Sequence, residues 1–188
     1  MSTQMSLVNH FLVAMPMLND VVLSQSVIYI CEHHDRGTVG MIINRPLGHP
    51  MSVIFEQLNI VPAKEPIKQY PLLFGGPIQA ERGFVIHRPP GKWQSSMPVL
   101  GDQVTITTSN DIVRAMAQNQ GPKDALMVLG YVGWDKSELE REIVKEDAWI
   151  VCPFNPELLY DVPFVERWKA AAMTLGVDMD SIARSGHA

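Results

Sequence analysis

Residues 26–44 read SVIYICEHHDRGTVGMIIN, two runs of β-branched and other apolar residues around a short polar break. Runs of this composition favour strands. The break ends in Gly37, and glycine tolerates the positive φ that a tight hairpin connection requires. The stretch therefore predicts an antiparallel hairpin with strands over 26–33 and 38–44.

Similar apolar runs bounded by glycine and proline predict further strands over 11–15, 72–74, 83–88, 104–107, 125–132 and 148–152. Segments with helical spacing interrupt them, and these predict helices over 51–58, after Thr108, after Asp135, after Asn155 and over 163–175. Strands and helices do not alternate strictly along the chain. This irregular order favours an α+β fold, and 188 residues fit one domain over 1–188.

The predicted C-terminal helix carries a single apolar stripe, formed by Phe164, Trp168, Ala171, Ala172 and Leu175. A stripe of this kind docks on a sheet, so we expect Trp168 to be largely buried. Gly176 ends the helix. Residues 178–188 have little to bury, and we expect them to form a frayed tail.

The composition excludes several classes of protein. Hydrophobic residues make up 46% and charged residues 19%, which is enough apolar material for a core and excludes disorder. The net charge of −5 opposes nonspecific attraction to nucleic acids or anionic lipid. No segment has the roughly 20 apolar residues that span a bilayer. The apolar run over 11–18 contains Pro16 and follows no Lys or Arg, so we expect a cytoplasmic protein without a signal peptide.

The end of the first hairpin strand holds the side chains best suited to chemistry, Cys31, Glu32 and His33. Strict alternation along a strand would place Cys31 and His33 on one face. A thiolate beside an imidazole there could serve as nucleophile and base, as two metal ligands or as a sensor. In the alternative interpretation, Cys31 is a small core residue. The activated interpretation predicts that Cys31 is alkylated before Cys152, which ends an apolar strand, and that His33→Ala slows the labelling.

The remaining motifs do not predict a metal or a cofactor. Two cysteines are too few for a disulfide framework, and no Cys or His stands at zinc-finger spacing. The Gly-Gly-Pro at 75–77 lacks the Lys-Ser/Thr of a phosphate loop.

A basic and aromatic cluster over 82–93 could hold an anionic ligand or a nucleic-acid strand, although solvated surface side chains are the stronger interpretation. The sequence contains no helix-turn-helix, zinc-finger or basic-helix motif. Direct sequence-specific DNA binding is therefore not predicted.

Taken together, these motifs resemble the AlgH/YqgE family of bacterial proteins. The motifs occur in the family's order: FLVAMP at 11–16, SVIYICEH at 26–33, GMIINRP at 40–46, GGP at 75–77, GFVIH at 83–87 and GYVGW at 130–134. The resemblance implies an α+β fold in which a mostly antiparallel, bifurcated sheet curls into a pseudo-barrel with helices packed around it. It also implies a regulatory role, since the family is associated with expression of polysaccharide genes.

The family's signature positions are the candidate binding or sensing residues: Cys31, Glu32, His33, Asn44, Arg45, Gly75, Gly76, His87, Gly133 and Trp134, with Pro46 and Pro77 beside them. The resemblance implies no catalytic residue, metal ligand or cofactor among them. Where the family often has Asn after the Cys-Glu-His triplet, this chain has His34.

These observations favour a cytoplasmic, non-enzymatic regulatory or interaction protein that acts indirectly on transcription through a protein or small-molecule partner. The alternative is a small-molecule or nucleotide-binding enzyme, or a thiol-based sensor, with its site near Cys31 and His33. Exposed sheet edges permit pairing of copies without requiring it, so the sequence leaves the oligomeric state open.

Overall fold

The structure is a computed structural model that describes residues 5–64 and 69–186. Its strands are β1 His10–Ala14, β2 Val27–His34, β3 Gly37–Ile42, β4 Leu72–Phe74, β5 Ile78–Arg88, β6 Ser96–Leu100, β7 Val104–Thr107, β8 Asp124–Asp135 and β9 Trp149–Pro153. Its α-helices are α1 Ser52–Gln57, α2 Asn110–Ala117, α3 Glu138–Val144, α4 Pro156–Tyr160, α5 Arg167–Met173 and α6 Met179–Ser185. A 3-10 turn over Phe164–Glu166 leads into α5.

The strands form one sheet in the order β6-β7-β5-β8-β3-β2-β1-β9. The sheet forks at β8: one edge of β8 pairs with β5, while the other pairs first with β4 and then with β3. Only the β4–β8 pair, among the strands described, is parallel. A hydrogen bond of 3.2 Å from Asn9 Nδ2 to the carbonyl of Val99 connects the chain before β1 to β6, so the sheet curls most of the way round. The predicted α+β fold, with its bifurcated and curled sheet, is confirmed.

Helices cover both faces of this curled sheet. Inside the curl, α4, α5 and α6 close over the largest apolar cluster, which includes Tyr29 and Trp168. On the outer face, α1 and α2 pack on β5 and β8 around Ile112 and Met127. Elsewhere on that face, α3 packs on the sheet through Leu139. Each of these α-helices has five to eight residues and buries apolar side chains against the sheet.

The prediction that Trp168 is buried is confirmed. Its side chain is 8% exposed, and its indole N–H donates to the carbonyl of Ala14 across 2.8 Å. The helix is shorter than the predicted range of 163–175, because its first turn is a 3-10 turn and α5 ends at Met173. Leu175 therefore lies beyond the helix and is 42% exposed.

The expectation of a frayed tail from residue 178 is wrong for the residues described. The Asp178 carboxylate accepts from the Asp180 amide across 3.0 Å and thereby caps α6. Met179, 2% exposed, enters the inner core, and Ile182 packs against it. These two apolar side chains supply the burial that the tail was expected to lack; residues 187–188 lie outside the described part.

The strand β6 is an addition that sequence patterns did not predict. Its sequence, SMPVL, contains Pro98 and has weak strand character. Because β6 lies at the edge of the sheet, proline is tolerated there. No helix within residues 5–64 and 69–186 is long and apolar enough to cross a membrane.

Candidate functional site

A β-bulge in β2 separates the two side chains expected to act together. The register of β2 on β3 shifts between Ile30 and Glu32, which breaks the alternation of faces at Cys31. Cys31 and Glu32 consequently line the same cavity on the inner face. The prediction that Cys31 and His33 share a face is wrong.

The His33 ring instead joins β2 to the N-terminal segment and to α3. Its Nδ1 accepts from the Leu7 amide across 2.9 Å, and its Nε2 lies 2.7 Å from Glu140 Oε1. Since Nδ1 is the acceptor, Nε2 carries the proton and donates to the carboxylate. Glu140 thus orients His33, a partner that the sequence did not reveal.

Both cysteines are free, as predicted, and both are buried. Burial, reinforced by the charge of Glu32, raises the pKa of the Cys31 thiol to about 12. Burial also raises the pKa of the Cys152 thiol, which lies 3.1 Å from Thr174 Oγ1. A thiol with a raised pKa is a poor nucleophile at neutral pH, so the structure supports a packing role for Cys31 over an activated one.

Asn44 and Arg45 fix the loop before β2. The Asn44 side chain accepts from the Val27 amide and donates to the Gln25 carbonyl, both across 2.9 Å. The Arg45 guanidinium donates to the carbonyls of Val22 and Ser24. The two residues line an open depression beside α5, in a different place from Cys31 and Glu32.

Gly75 and Gly76 allow the chain to cross the fork of the sheet. The Gly75 amide donates to Leu129 on β8 across 2.7 Å, and its carbonyl accepts from Ile42 at the end of β3 across 2.9 Å. A Cβ atom at Gly75 would lie 2.4 Å from the Gly130 carbonyl oxygen, and one at Gly76, with φ +155, would lie 2.1 Å from that of Tyr131. Close backbone contact explains these glycines without any bound phosphate.

His87 is fully buried between β5 and β7. Its Nδ1 lies 3.0 Å from the Pro89 carbonyl and its Nε2 lies 2.7 Å from Thr107 Oγ1. Burial lowers the pKa of His87, and the ring is therefore neutral at pH 7. The residue organises the interior of the fold and is closed to ligands.

Trp134 belongs to a buried cluster on the outer face. Its indole N–H and that of Trp149 both donate to Glu142 Oε2, across 2.7 and 3.2 Å, and the two rings meet edge to face. Burial raises the pKa of Glu142 despite these two donors. Gly133 precedes the cluster, where a Cβ would lie 3.2 Å from Ile78 Cδ1.

The cavity that contains Cys31 and Glu32 lies where the curl of the sheet is incomplete, between the β2–β3 hairpin and β6. We call it the seam cleft; its volume is about 490 Å³. Its floor is apolar and is formed by Cys31, Val39, Met41, Phe84, Met97 and Ile106. Its remaining lining is more polar and includes Glu32, Arg82, Gln94, Ser95, Ser96, Thr108 and Tyr131.

Arg82 is the cation of the seam cleft. It lies in a bulge of β5, where pairing with β8 skips from Ile78 to Gly83 and where Gln79 has φ 48. The Arg82 guanidinium stands 5.1 Å from the centre of the Phe84 ring and donates to Gln79 Oε1 across 3.1 Å. No carboxylate among the described residues forms an ion pair with it. Bulges commonly redirect side chains beside functional sites.

The sequence had grouped Arg82 with neighbours that the fold separates. Arg88 pairs with Asp124 across 2.7 Å, and His87 is buried, so neither faces the cleft with Arg82. Tyr131 meets Phe84 edge to face at 6.1 Å and completes an aromatic wall that sequence patterns did not identify. Within the described residues, no group of three or more His, Cys, Asp or Glu side chains could hold a metal ion. The arrangement suits binding: an apolar floor, an aromatic wall and one unpaired cation.

Comparison with known proteins places the chain in a family. The profile described as AlgH-like matches residues 11–180. The UPF0301 protein of Legionella pneumophila strain Corby is 54% identical over 184 residues, 97% of each chain. That of Nitrosococcus oceani is 44% identical over 181 residues, 96% of each chain.

Two solved structures share the fold. The solution structure of the AlgH protein from Pseudomonas aeruginosa matches with a TM-score of 0.79 and 38% identity, covering 97% of this chain and 95% of that one. A crystal structure of a Corynebacterium diphtheriae protein matches with a TM-score of 0.72 and 16% identity, covering 97% and 94%. The profile and the relatives each span nearly the whole chain, and this bacterial protein therefore belongs to the AlgH-like family.

Proposed function

We propose that this protein is a non-enzymatic regulatory protein of the cytoplasm that binds a small amphipathic molecule in the seam cleft. The observation that carries the proposal is Arg82, a guanidinium that forms no ion pair with any described carboxylate and lies beside an apolar floor in a cavity of about 490 Å³. Small-molecule sites commonly combine an apolar lining with a few placed polar groups. The size of the cleft suits a ligand of a few hundred daltons.

The state of the candidate reactive groups favours binding over catalysis. The Cys31 thiol is held in its protonated form, and the His33 ring is engaged by Leu7 and Glu140 on the other side of β2. Nucleophilic catalysis needs a base within hydrogen-bond reach of the nucleophile. The bulge between the two residues removes that arrangement.

An indirect effect on transcription is the second part of the proposal. The net charge is −5, and the longest α-helix of the described residues, α2, has eight residues and packs against the sheet. A recognition helix needs an exposed, basic face to enter the major groove. We infer that the ligand-bound protein acts through a partner protein; nanomolar, sequence-specific DNA binding in a gel shift at physiological salt would contradict this inference.

A thermal-shift screen of common metabolites tests the binding proposal. A ligand at one hundred times its Kd should raise the free energy of unfolding by about 2.7 kcal/mol and the Tm by about 5 to 10 °C. Arg82→Gln should weaken that ligand about tenfold or more, because it removes a charge-assisted hydrogen bond. The matched control is Arg36→Gln, since Arg36 is also exposed but does not line the cleft.

The proposal is contradicted if every ligand found in the screen binds the Arg82→Gln variant as tightly as the wild type, or if a broad screen finds no ligand. If Arg82→Gln and Arg36→Gln lose the same affinity for the ligand, the loss reflects a general effect of charge and not a site at Arg82.

A further inference from the structure

A second cavity adjoins the seam cleft on the opposite face of the sheet. It has a volume of about 250 Å³ and lies between the sheet and the helices α1 and α2. We call it the helix fissure; its apolar lining is Ile54, Leu58, Val85, Val113, Met127 and Leu129. Arg82 and Thr108 line both cavities, which places the two side by side.

The end of β7 explains how cavities on opposite faces meet. Pairing between β5 and β7 stops at Val85 opposite Thr107. Within β5, Phe84 lines the seam cleft and Val85 lines the helix fissure, as alternation along a strand requires. Beyond the last pair stand Arg82 in its bulge and Thr108 after the strand, so the two cavities share this boundary.

Arg82 is the one cation among the described residues that line either cavity, and it forms no ion pair with the carboxylates there. Among the described residues, the Arg82 guanidinium contacts the Gln79 side-chain amide and the Phe84 ring, and neither group carries a formal charge. Glu32 lines the seam cleft and Glu81 lines the helix fissure, but neither comes within ion-pair distance of Arg82.

The nearby N-terminus of α2 does not compete for an anion. The Asp111 carboxylate already accepts there from the Ile112 amide, the Gln94 amide and the Ser109 hydroxyl. A bound anion would meet this carboxylate, so Arg82 is the position where an anionic group is stabilised.

We propose that the ligand is an elongated phosphodiester whose single negative charge lies at Arg82 and Thr108. This inference rests on the proposed function. One apolar or aromatic substituent occupies the seam cleft and the other occupies the helix fissure. A diester matches the site because its charge is central and carries a substituent on each side, whereas a carboxylate ends its chain. The planar guanidinium fits two oxygens of a phosphate, and the Thr108 hydroxyl supplies a further donor.

Dihexyl phosphate and hexyl methyl phosphate are matched probes, since each carries one negative charge and they differ only in the second chain. Methyl NMR of the full chain reports on both cavities: Met41, Met97 and Ile106 for the seam cleft, and Ile54 and Met127 for the helix fissure. We expect dihexyl phosphate to shift both sets and to bind at least about tenfold more tightly than hexyl methyl phosphate, because the second chain is tethered at the first site. We expect hexyl methyl phosphate to shift one set.

Two variants sharpen the test. Leu58→Trp narrows the helix fissure and should reduce the affinity for dihexyl phosphate to that for hexyl methyl phosphate, while Arg82→Gln should weaken both probes about tenfold. Equal affinities of the two probes for the wild type, or shifts confined to one cavity, would overturn the two-cavity inference. The proposed function would survive that result if another ligand, found in the metabolite screen, bound the seam cleft. If neither probe binds, the phosphodiester assignment is overturned.

Discussion

The bulge at Cys31 decides the chemistry of the hairpin strand. One extra residue turns Glu32 to the inside with Cys31 and turns His33 to the outside, where Leu7 and Glu140 hold its ring. Cys31, Glu32 and His33 are adjacent in the sequence but therefore lie in two separate environments. The thiol is a packing residue at the floor of the seam cleft, and the imidazole is a bridge between elements.

This separation predicts slow alkylation of both cysteines in the folded protein. With the pKa of Cys31 raised to about 12, iodoacetamide at pH 7.5 should label Cys31 at least one hundredfold more slowly than in 8 M urea, where the thiols recover a pKa of about 8.5. Burial also raises the pKa of Cys152, so Cys152 should likewise be labelled more slowly in the folded protein than in urea. Mass spectrometry of timed, quenched samples measures both rates. Because the His33 ring is not beside Cys31, His33→Ala should leave the rate at Cys31 unchanged; rapid labelling that His33→Ala slows would restore the activated interpretation.

A second prediction at the residue scale concerns Glu142, whose pKa is raised above the ordinary 4.5, chiefly by burial. A raised acid pKa means that the folded state holds its proton more tightly than the unfolded state does. The contribution of Glu142 to stability is therefore largest below about pH 4.5 and declines as pH rises through its folded-state pKa. Glu142→Gln should remove this decline from the free energy of unfolding.

Urea unfolding followed by tryptophan fluorescence between pH 4 and 8 measures the slope. Glu56→Gln is the control, because Glu56 is exposed on α1 and is not among the charges that shift the pKa of Glu142. Identical slopes for the wild type and Glu142→Gln would show that the burial of Glu142 between Trp134 and Trp149 has no effect on its titration.

At the scale of elements, α5 closes the inside of the curl through one large side chain. Trp168 packs in the inner core and its indole donates to Ala14 on β1. Trp168→Ala should lower the free energy of unfolding by about 3 to 5 kcal/mol, since it removes a large buried side chain and leaves a cavity. Val165→Ala, at a position that is 88% exposed, should change it by less than about 0.5 kcal/mol. Equal denaturation midpoints for the two variants would show that α5 does not stabilise the sheet.

The elements were largely predictable from local patterns, and the site was not. The hairpin of β2 and β3, the strands β4 and β7 and the buried Trp168 follow from apolar periodicity and glycine positions. Strand β6 was not predicted because Pro98 weakens the strand character of its sequence. The bulge at Cys31 was not predicted because the register of β2 depends on its partner strand, β3. The sequence places Arg82 in a basic cluster, but its position in the seam cleft beside Met41 and Met97 depends on the curl of the sheet.

At the scale of the whole molecule, an incomplete curl leaves a cavity that a closed barrel would fill. The bond between Asn9 and Val99 ties one end of the seam, while the seam cleft remains open between β6 and the β2–β3 hairpin. Gly75 allows the chain to pass between β3 and β8 where the sheet forks. On the face of this sheet opposite the seam cleft lies the helix fissure. In the proposed function, the architecture supplies the binding site and Arg82 supplies the charge that selects the ligand.

The most direct test of this account is a methyl NMR titration of the wild-type protein with the ligand found by the metabolite screen. Binding in the seam cleft predicts saturable shifts of Met41, Met97 and Ile106, with Met173, exposed on α5, unchanged as the reference. Shifts confined to methyl groups outside the two cavities, with Met41, Met97 and Ile106 unmoved at saturation, would contradict the claim that the seam cleft is the binding site.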